Sequence, residues 1–345
     1  MMMPTETYGK VVAGDENALR QSWREFHALP VDWDLHNGDY PANTPGQTTI
    51  HEPVTLTGPG TFFGKATRTI TFEPCEQEGW WFDRSDMPDS LPTRVSVRNV
   101  WTTGDIVSNI VLRSGSPHNY VRMVEHIIAL KVGMGIDNVM IRIDSGDPPL
   151  FNRGSLDLVE ALGSSGARET DRPATLVTVK EPVTAVAPHG GFVTLLPCSG
   201  SRPQLNIDCA VNFPNAIGRQ RIRFPLVYDH FRMGAEARTN TTAGKKLYCQ
   251  TIGKIFADVR NLGYTADNVL VAAKRRYINE PHLLHDGKSL EAVWHRAVLD
   301  LLAAVALIDR GRFVGDIISY KAGHTLDVHL ITLLYLNDLL QPFDA

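Results

Sequence analysis

The run Met123-Val-Glu-His-Ile-Ile-Ala-Leu130, continuing into Gly133-Met-Gly-Ile-Asp-Asn-Val139, constrains this chain more than any other stretch. It sets a carboxylate and an imidazole side by side in the middle of a helix whose other residues favour burial. Burying even a neutral polar group without a partner costs roughly 2–7 kcal/mol. Neighbours on a helix point about 100° apart, so Glu125 and His126 would rim one pocket. A catalytic zinc ion, with His126 as ligand and Glu125 as general base, gives both residues a reason to be there. A core histidine bonded to a carbonyl is the blander reading, and the adjacent Glu125 weakens it.

Composition narrows the setting. The chain has 345 residues, long enough for two domains at roughly 150 residues each. A net charge of −4 gives no electrostatic case for nucleic acid or an anionic membrane. Cys75, Cys198, Cys209 and Cys249 are scattered without a CxxC, so neither a disulfide framework nor a thiolate metal site is indicated. The N-terminus lacks the apolar core of a signal peptide. The most apolar stretch, Val298 to Ile308, contains Asp300 and falls far short of the ~20 residues of a membrane span. The expectation is a cytoplasmic protein with a small-molecule substrate, no nucleic-acid partner and at most peripheral membrane association. The oligomeric state stays open.

Along the chain, residues 1–47 read as an N-terminal extension. Asn17 to Leu29 forms an amphipathic helix with Leu19, Trp23 and Phe26 near one face, and breaker-rich Pro30 to Gly46 follows as loop or linker. Alternation predicts strands at Ala66–Phe72 and Arg94–Val100. Ser116 is placed as the N-cap of the next helix, Pro117 at its first position, and Gly133 or Gly135 past its end. Strand Asn138–Ile143 and helix Ser155–Leu162 complete a first domain, 48–168. Polar Gly163 to Pro173 makes the boundary to a second, 174–345. There strands at Ala174–Val179, Phe192–Leu196, Leu205–Val211 and Arg221–Phe224 precede helices near 244–262, 290–309 and 324–340. The fold class is α+β: two similar two-layer domains, each a mainly antiparallel sheet covered by a helix pair.

Three further places could carry chemistry. Asp300 lies among Val298, Leu299, Leu301 and Leu302, where a carboxylate must be paired or coordinate a metal. His295 is five residues away, about 140° off its face on an ideal α-helix. Either a π-bulge realigns the two, as such bulges often do at functional sites, or one is not a ligand. Glu291 is a substitute that needs no bulge, and Asp300 is preferred. In Tyr320-Lys-Ala-Gly-His-Thr-Leu-Asp327, Gly323 turns the chain and presents His324 at a helix head, where an imidazolium could protonate a leaving amine. Thr239 could donate to a developing oxyanion. His282 and His285 read as surface, and Gly133-Met-Gly135 as a helix stop rather than a nucleotide loop.

Taken together, these runs resemble the UDP-3-O-acyl-N-acetylglucosamine deacetylases, the zinc amidases of lipid A biosynthesis, from about Thr48 to Leu339. The carriers are Thr57-Gly-Pro-Gly60 with Gly64-Lys65, Val124-Glu-His126, Gly135-Ile-Asp-Asn-Val139 and Pro149 through Gly154-Ser155. Asn212-Phe-Pro214, Ile217-Gly218 with Gln220, Ala237-Arg-Thr239 and Lys321-Ala-Gly-His324 follow in order. The resemblance implies helix layers facing each other around Zn2+. It implies Glu125 as base, His126 and His295 as metal ligands, and Thr239 as oxyanion donor; Asp300, preferred for its apolar setting, is read as the third ligand. His324 would be the acid and electrostatic partner, and Arg296 and Lys321 would contact substrate. The reaction implied releases acetate and a free amine from an acylated amino sugar.

The chain departs from that pattern in several places. Leu299 stands where the family's third ligand, an Asp, is found, and Arg296 replaces a Lys. Ala303 or Ala304 replaces a supporting Asp, Phe62 a His, and Arg153 an Asp. A pseudoenzyme that binds a nucleotide sugar or a protein partner is the alternative.

Overall fold

The computed structural model describes residues 8–36, 38, 40, 45–61, 66–104, 109–199, 203–242, 265 and 267–343. The helix expected near 244–262, Gly64-Lys65 and Phe62 lie outside them. The fold is mixed α and β. Among the described residues no helix is long and apolar enough to cross a membrane.

Two sheets organise the chain. The first has five strands in the order Val54–Pro59, Thr67–Pro74, Val139–Ile143, Trp80–Arg84, Thr93–Arg94. Its pairings are antiparallel except where Val139–Ile143 runs parallel to Trp80–Arg84. Ile70, Phe72, Phe82, Ile141 and Ile143 alternate onto the buried face.

The second sheet has the order Lys10–Ala13, Val183–Val186, Phe192–Pro197, Gly315–Tyr320, Leu205–Asn212, Arg219–Pro225, Trp33–Asp34. Three of its pairings are parallel and three antiparallel, which corrects the expectation of a mainly antiparallel sheet here. Two of the parallel edges come from the N-terminal segment. The third arises where Gly315–Tyr320 returns beside Leu205–Asn212 after the long helix, and crossovers of that length produce parallel neighbours.

The described part of the N-terminal extension joins this sheet and covers it. Asp15 caps helix Glu16–His27 by accepting from the Ala18 N–H at 2.8 Å. Leu19, Trp23 and Phe26 pack with Val186, Phe192, Ala210 and Tyr320 in a cluster separate from the main core. The strand neighbours of those residues, among them Ala185, Val193, Cys209 and Ile317, enter the main core on the other face. Both faces of this sheet are thus apolar, and the N-terminal helix covers one of them.

Several local readings change. Tyr120–Val121 is extended and pairs with Val111–Arg113, so no helix starts at Ser116. The helix spans Glu125–Gly133, after Met123 turns the chain at φ 55°. Glu125 and His126 open it rather than occupying its middle. Arg94–Val100 splits into strand Thr93–Arg94, a 3-10 turn at Val97–Asn99 and strand Val100–Thr102, because Ser96 caps the turn. Gly163 to Pro173 carries regular structure. Helix Leu156–Ser165 runs through its start, and Ala167–Pro173 pairs with Gly46–Ile50.

The segments Glu291–His295, Arg296–Leu301 and Leu302–Ala306 form one continuous helix whose middle segment is π-helical. It is buried along nearly its whole length and packs against Glu125–Gly133. Helix His324–Leu336 follows the turn at Gly323.

Candidate functional site

The π-segment decides the geometry. A π-turn carries an extra residue, so side chains five apart come onto one face instead of lying about 140° apart. His295 Nδ1 accordingly lies 3.4 Å from Asp300 Oδ1. The same carboxylate oxygen is 3.2 Å from His324 Nε2. On its other side His295 Nε2 lies 3.1 Å from His126 Nε2 and 3.1 Å from Thr239 Oγ1. Four separate elements thus deliver His126, Thr239, His295 with Asp300, and His324 to one place.

The first half of the cluster is held by its helix start. Glu125 is buried, and its Oε2 accepts from the Ile110 N–H at 3.0 Å. Ser155, the residue before helix Leu156–Ser165, donates to the His126 carbonyl at 2.8 Å. Glu125, His126 and Thr239 line a recess of about 30 Å³ with Met123, Phe151 and Leu158. That is enough room for a water molecule.

Burial sets the charge states. It pushes the Glu125 carboxyl up, against the pull of His324 and the Ile110 N–H. His126 is pushed down to about 3 by burial and by the neighbouring His295, so it stays neutral. Burial disfavours ionised Asp300, but His295 and His324 outweigh it and hold the carboxyl well below the usual range. Burial likewise opposes charge on His324, yet Asp300, with Glu125 and Asp327 beyond it, raises the imidazole to about 9.

The other expected residues fall elsewhere. Glu291 is not a substitute ligand: it is fully buried, with Oε1 2.7 Å from Arg238 Nε and Oε2 3.1 Å from Arg238 Nη2. Arg296 is not placed to grip a substrate. Its guanidinium is buried, bidentate to Asp327 at 2.7 and 2.6 Å, and bonded to Ser319. Lys321 is half-buried and donates to Glu25 of the N-terminal helix at 2.8 Å. Arg153 lies outside the cluster, paired with Asp157 and Glu160. His285 stacks on Trp33 with ring centroids 4.2 Å apart. The sequence reading missed Asp327, although a carboxylate immediately before the apolar run Val328 to Leu336 was a usable signal.

Among the described residues no three His, Cys, Asp or Glu side chains already converge on one metal position. The reason is local: His295 points one nitrogen at His126 and the other at Asp300. The donor chemistry nevertheless fits a zinc ion. Two imidazoles, one held neutral, adjoin an ionised carboxylate, and N, N and O donors are what catalytic zinc takes. Asp300 Oδ1 is buried and, despite its two close imidazoles, completes no hydrogen bond. Beside the protonated His324, this oxygen keeps a lone pair with which it can also take a metal ion.

A mixed α and β fold around a buried Glu–His–Thr–His–Asp–His centre is the class this chain presents. The sequence profile of the UDP-3-O-acyl N-acetylglycosamine deacetylase family matches residues 47–335, and the chain belongs to that family. Curated relatives named UDP-3-O-acyl-N-acetylglucosamine deacetylase include one from Trichormus variabilis, 30% identical over 296 residues, covering 82% of this chain and 96% of the relative. One from Leptospira biflexa is 28% identical over 289 residues, covering 82% and 87%. One from Campylobacter jejuni is 28% identical over 294 residues, covering 85% and 92%.

Proposed function

We propose that this protein is a zinc-dependent deacetylase that removes the N-acetyl group of a UDP-3-O-acyl-N-acetylglucosamine or a similar acylated amino sugar. The observation that carries the reading is the π-turn, which brings Asp300 to His295 and His324 in spite of the five-residue spacing. His126, His295 and Asp300 would hold the ion. When bound, it would supply Lewis acidity and lower the pKa of a coordinated water.

The remaining work belongs to the chain. Glu125 is the general base. One of its oxygens is fixed by the Ile110 N–H, and burial moves it away from permanent ionisation, which suits a group that must accept and return a proton. His324 stays protonated through neutral pH with Nε2 beside Asp300, which leaves its Nδ1–H, without a hydrogen-bond partner among the described residues, to stabilise negative charge on the attacked carbonyl and then protonate the amine. Thr239 Oγ1 is the neutral hydroxyl donor on the opposite side of His295. The products are acetate and a free amine.

The two-domain reading belongs to the same proposal. Residues 48–168 and 174–345 would be its two units, a reading supported by their separate main sheets and by the packing of helix Glu125–Gly133 against the Arg296–Ala306 segment. A cytoplasmic setting follows from a nucleotide-activated substrate.

The test combines zinc analysis of the purified protein with acetate release from UDP-3-O-acyl-N-acetylglucosamine. One zinc per chain is expected, with turnover that Glu125→Gln lowers by about 10²–10⁴. Zinc-free protein that releases no acetate would favour the binding-only pseudoenzyme instead.

A further inference from the structure

One large cleft plays no part in the site above. It has a volume of about 790 Å³ and lies where the edge of the first sheet meets the C-terminal part of the chain. The volume falls within the roughly 300–1,000 Å³ of small-molecule sites, and such sites favour junctions between structural units. His295 and Ala306 are separated by ~16 Å of helix rise at 1.5 Å per residue, and the cleft begins beyond Ala306, at Ile308 and Asp309.

Its walls combine aromatic and aliphatic surface with positive charge. Trp81, Tyr335 and Leu340 supply the apolar part, and Arg94, Arg98 and Arg310 the cationic part. Arg94 lies over the Trp81 ring at 5.5 Å, and Arg98 over the Tyr335 ring at 5.5 Å. Only one carboxylate, Asp309, lines the cleft, and it is already engaged by Ser96 and by Arg98 Nε at 2.9 Å. The local charge is therefore positive. Arg94 donates through Nη2 to the Asp309 carbonyl at 2.6 Å, while its Nε is buried with no hydrogen-bond partner. Arg310 is exposed and has no partner among the described residues.

We infer that this cleft binds a small amphiphilic anion, its carboxylate or phosphate head on the Arg94 and Arg310 guanidinium groups and its aliphatic body against Trp81, Tyr335 and Leu340. Guanidinium groups pair well with such heads, and a charge-assisted hydrogen bond contributes more than a neutral one. The apolar wall discriminates the ligand from a simple ion.

Isothermal titration of the full chain with submicellar decanoate, decyl phosphate, 1-decanol and inorganic phosphate tests the inference. Decanoate or decyl phosphate should saturate one site per chain, the preferred head identifying the source. Decanol and inorganic phosphate should bind at least tenfold more weakly. Arg94→Gln and Arg310→Gln should each weaken binding about tenfold, Trp81→Leu should weaken it several-fold, and Glu125→Gln should leave it unchanged. The exposed Arg310→Gln keeps the test valid if Arg94→Gln lowers stability, which thermal melting reports. Equal binding of decanol, indifference to both arginine variants, no saturable binding, or loss of binding in Glu125→Gln would each overturn it.

Discussion

The two halves of the polar centre are built on opposite principles. Glu125 and His126 are consecutive residues at a helix start, held by hydrogen bonds from Ile110 and Ser155 on neighbouring segments. His295 and Asp300 are five residues apart and meet only because the backbone between them takes a π-turn. The first half depends on two residues adjacent in sequence on a regular helix start, and the second on a helical irregularity that brings together residues five apart. Substitutions in the two halves should therefore fail differently: those at Glu125 in chemistry, those around the π-segment in structure and ion retention.

The largest effect tests the first half. Glu125→Gln should cut acetate release by about 10²–10⁴ while thermal stability and zinc content stay near those of the unmodified protein. If zinc is lost along with activity, Glu125 belongs to the ion-holding half and the contrast collapses.

Next comes the buried pair that ties the π-segment to helix His324–Leu336. Asp327→Ala leaves the Arg296 guanidinium buried without its carboxylate and should destabilise the fold by about 3–5 kcal/mol in denaturant titration. Arg296→Met with Asp327→Leu removes both charges and should recover most of that loss, because the desolvation cost disappears with the pair. A double variant as unstable as the single one would contradict this reading.

A pH experiment sharpens the second half further. The His324 imidazole is raised from 6.5 to about 9 in the folded state, so its contribution to stability is complete below pH 6.5 and is lost as pH rises through 9. In metal-stripped protein, the stability advantage of the unmodified chain over His324→Gln should shrink by roughly 3 kcal/mol across that window. A constant difference would mean that Asp300 does not hold the proton on His324.

The smallest effect falls on the anchoring of His126. Ser155→Ala removes the hydrogen bond to the His126 carbonyl and should cost about 1 kcal/mol of stability, with a modest fall in turnover.

Sequence legibility follows the same division. Strands such as Leu205–Asn212 and helix Glu16–His27 were readable because periodicity encodes them locally. The helix start at Glu125 was placed too early because Ser116-Pro117 carries a cap signal that the pairing of Tyr120–Val121 overrides. The strands of the N-terminal extension were not legible, because strands of two to four residues leave little pattern and the second sheet supplies their partners. In the centre, residue types marked Glu125, His126, His295, Asp300, Thr239 and His324 as candidates. Spacing along the chain could pose the π-turn only as one of two options, since a regular helix and a bulged one share the same sequence. The ion pairs of Arg296 and Lys321 were not legible, because their carboxylates, Asp327 and Glu25, come from distant elements.

The most direct measurement is zinc stoichiometry in three proteins: the unmodified chain, Asp300→Ala, and the double variant Leu299→Asp with Asp300→Leu. The last moves the carboxylate to the four-residue spacing of a regular helix. One zinc per chain in the first and marked loss in both others is the expected result, because the π-turn presents position 300 and not 299 to His295. Full zinc retention in Asp300→Ala, or restoration by the relocated carboxylate, would contradict the claim that the π-turn completes the site.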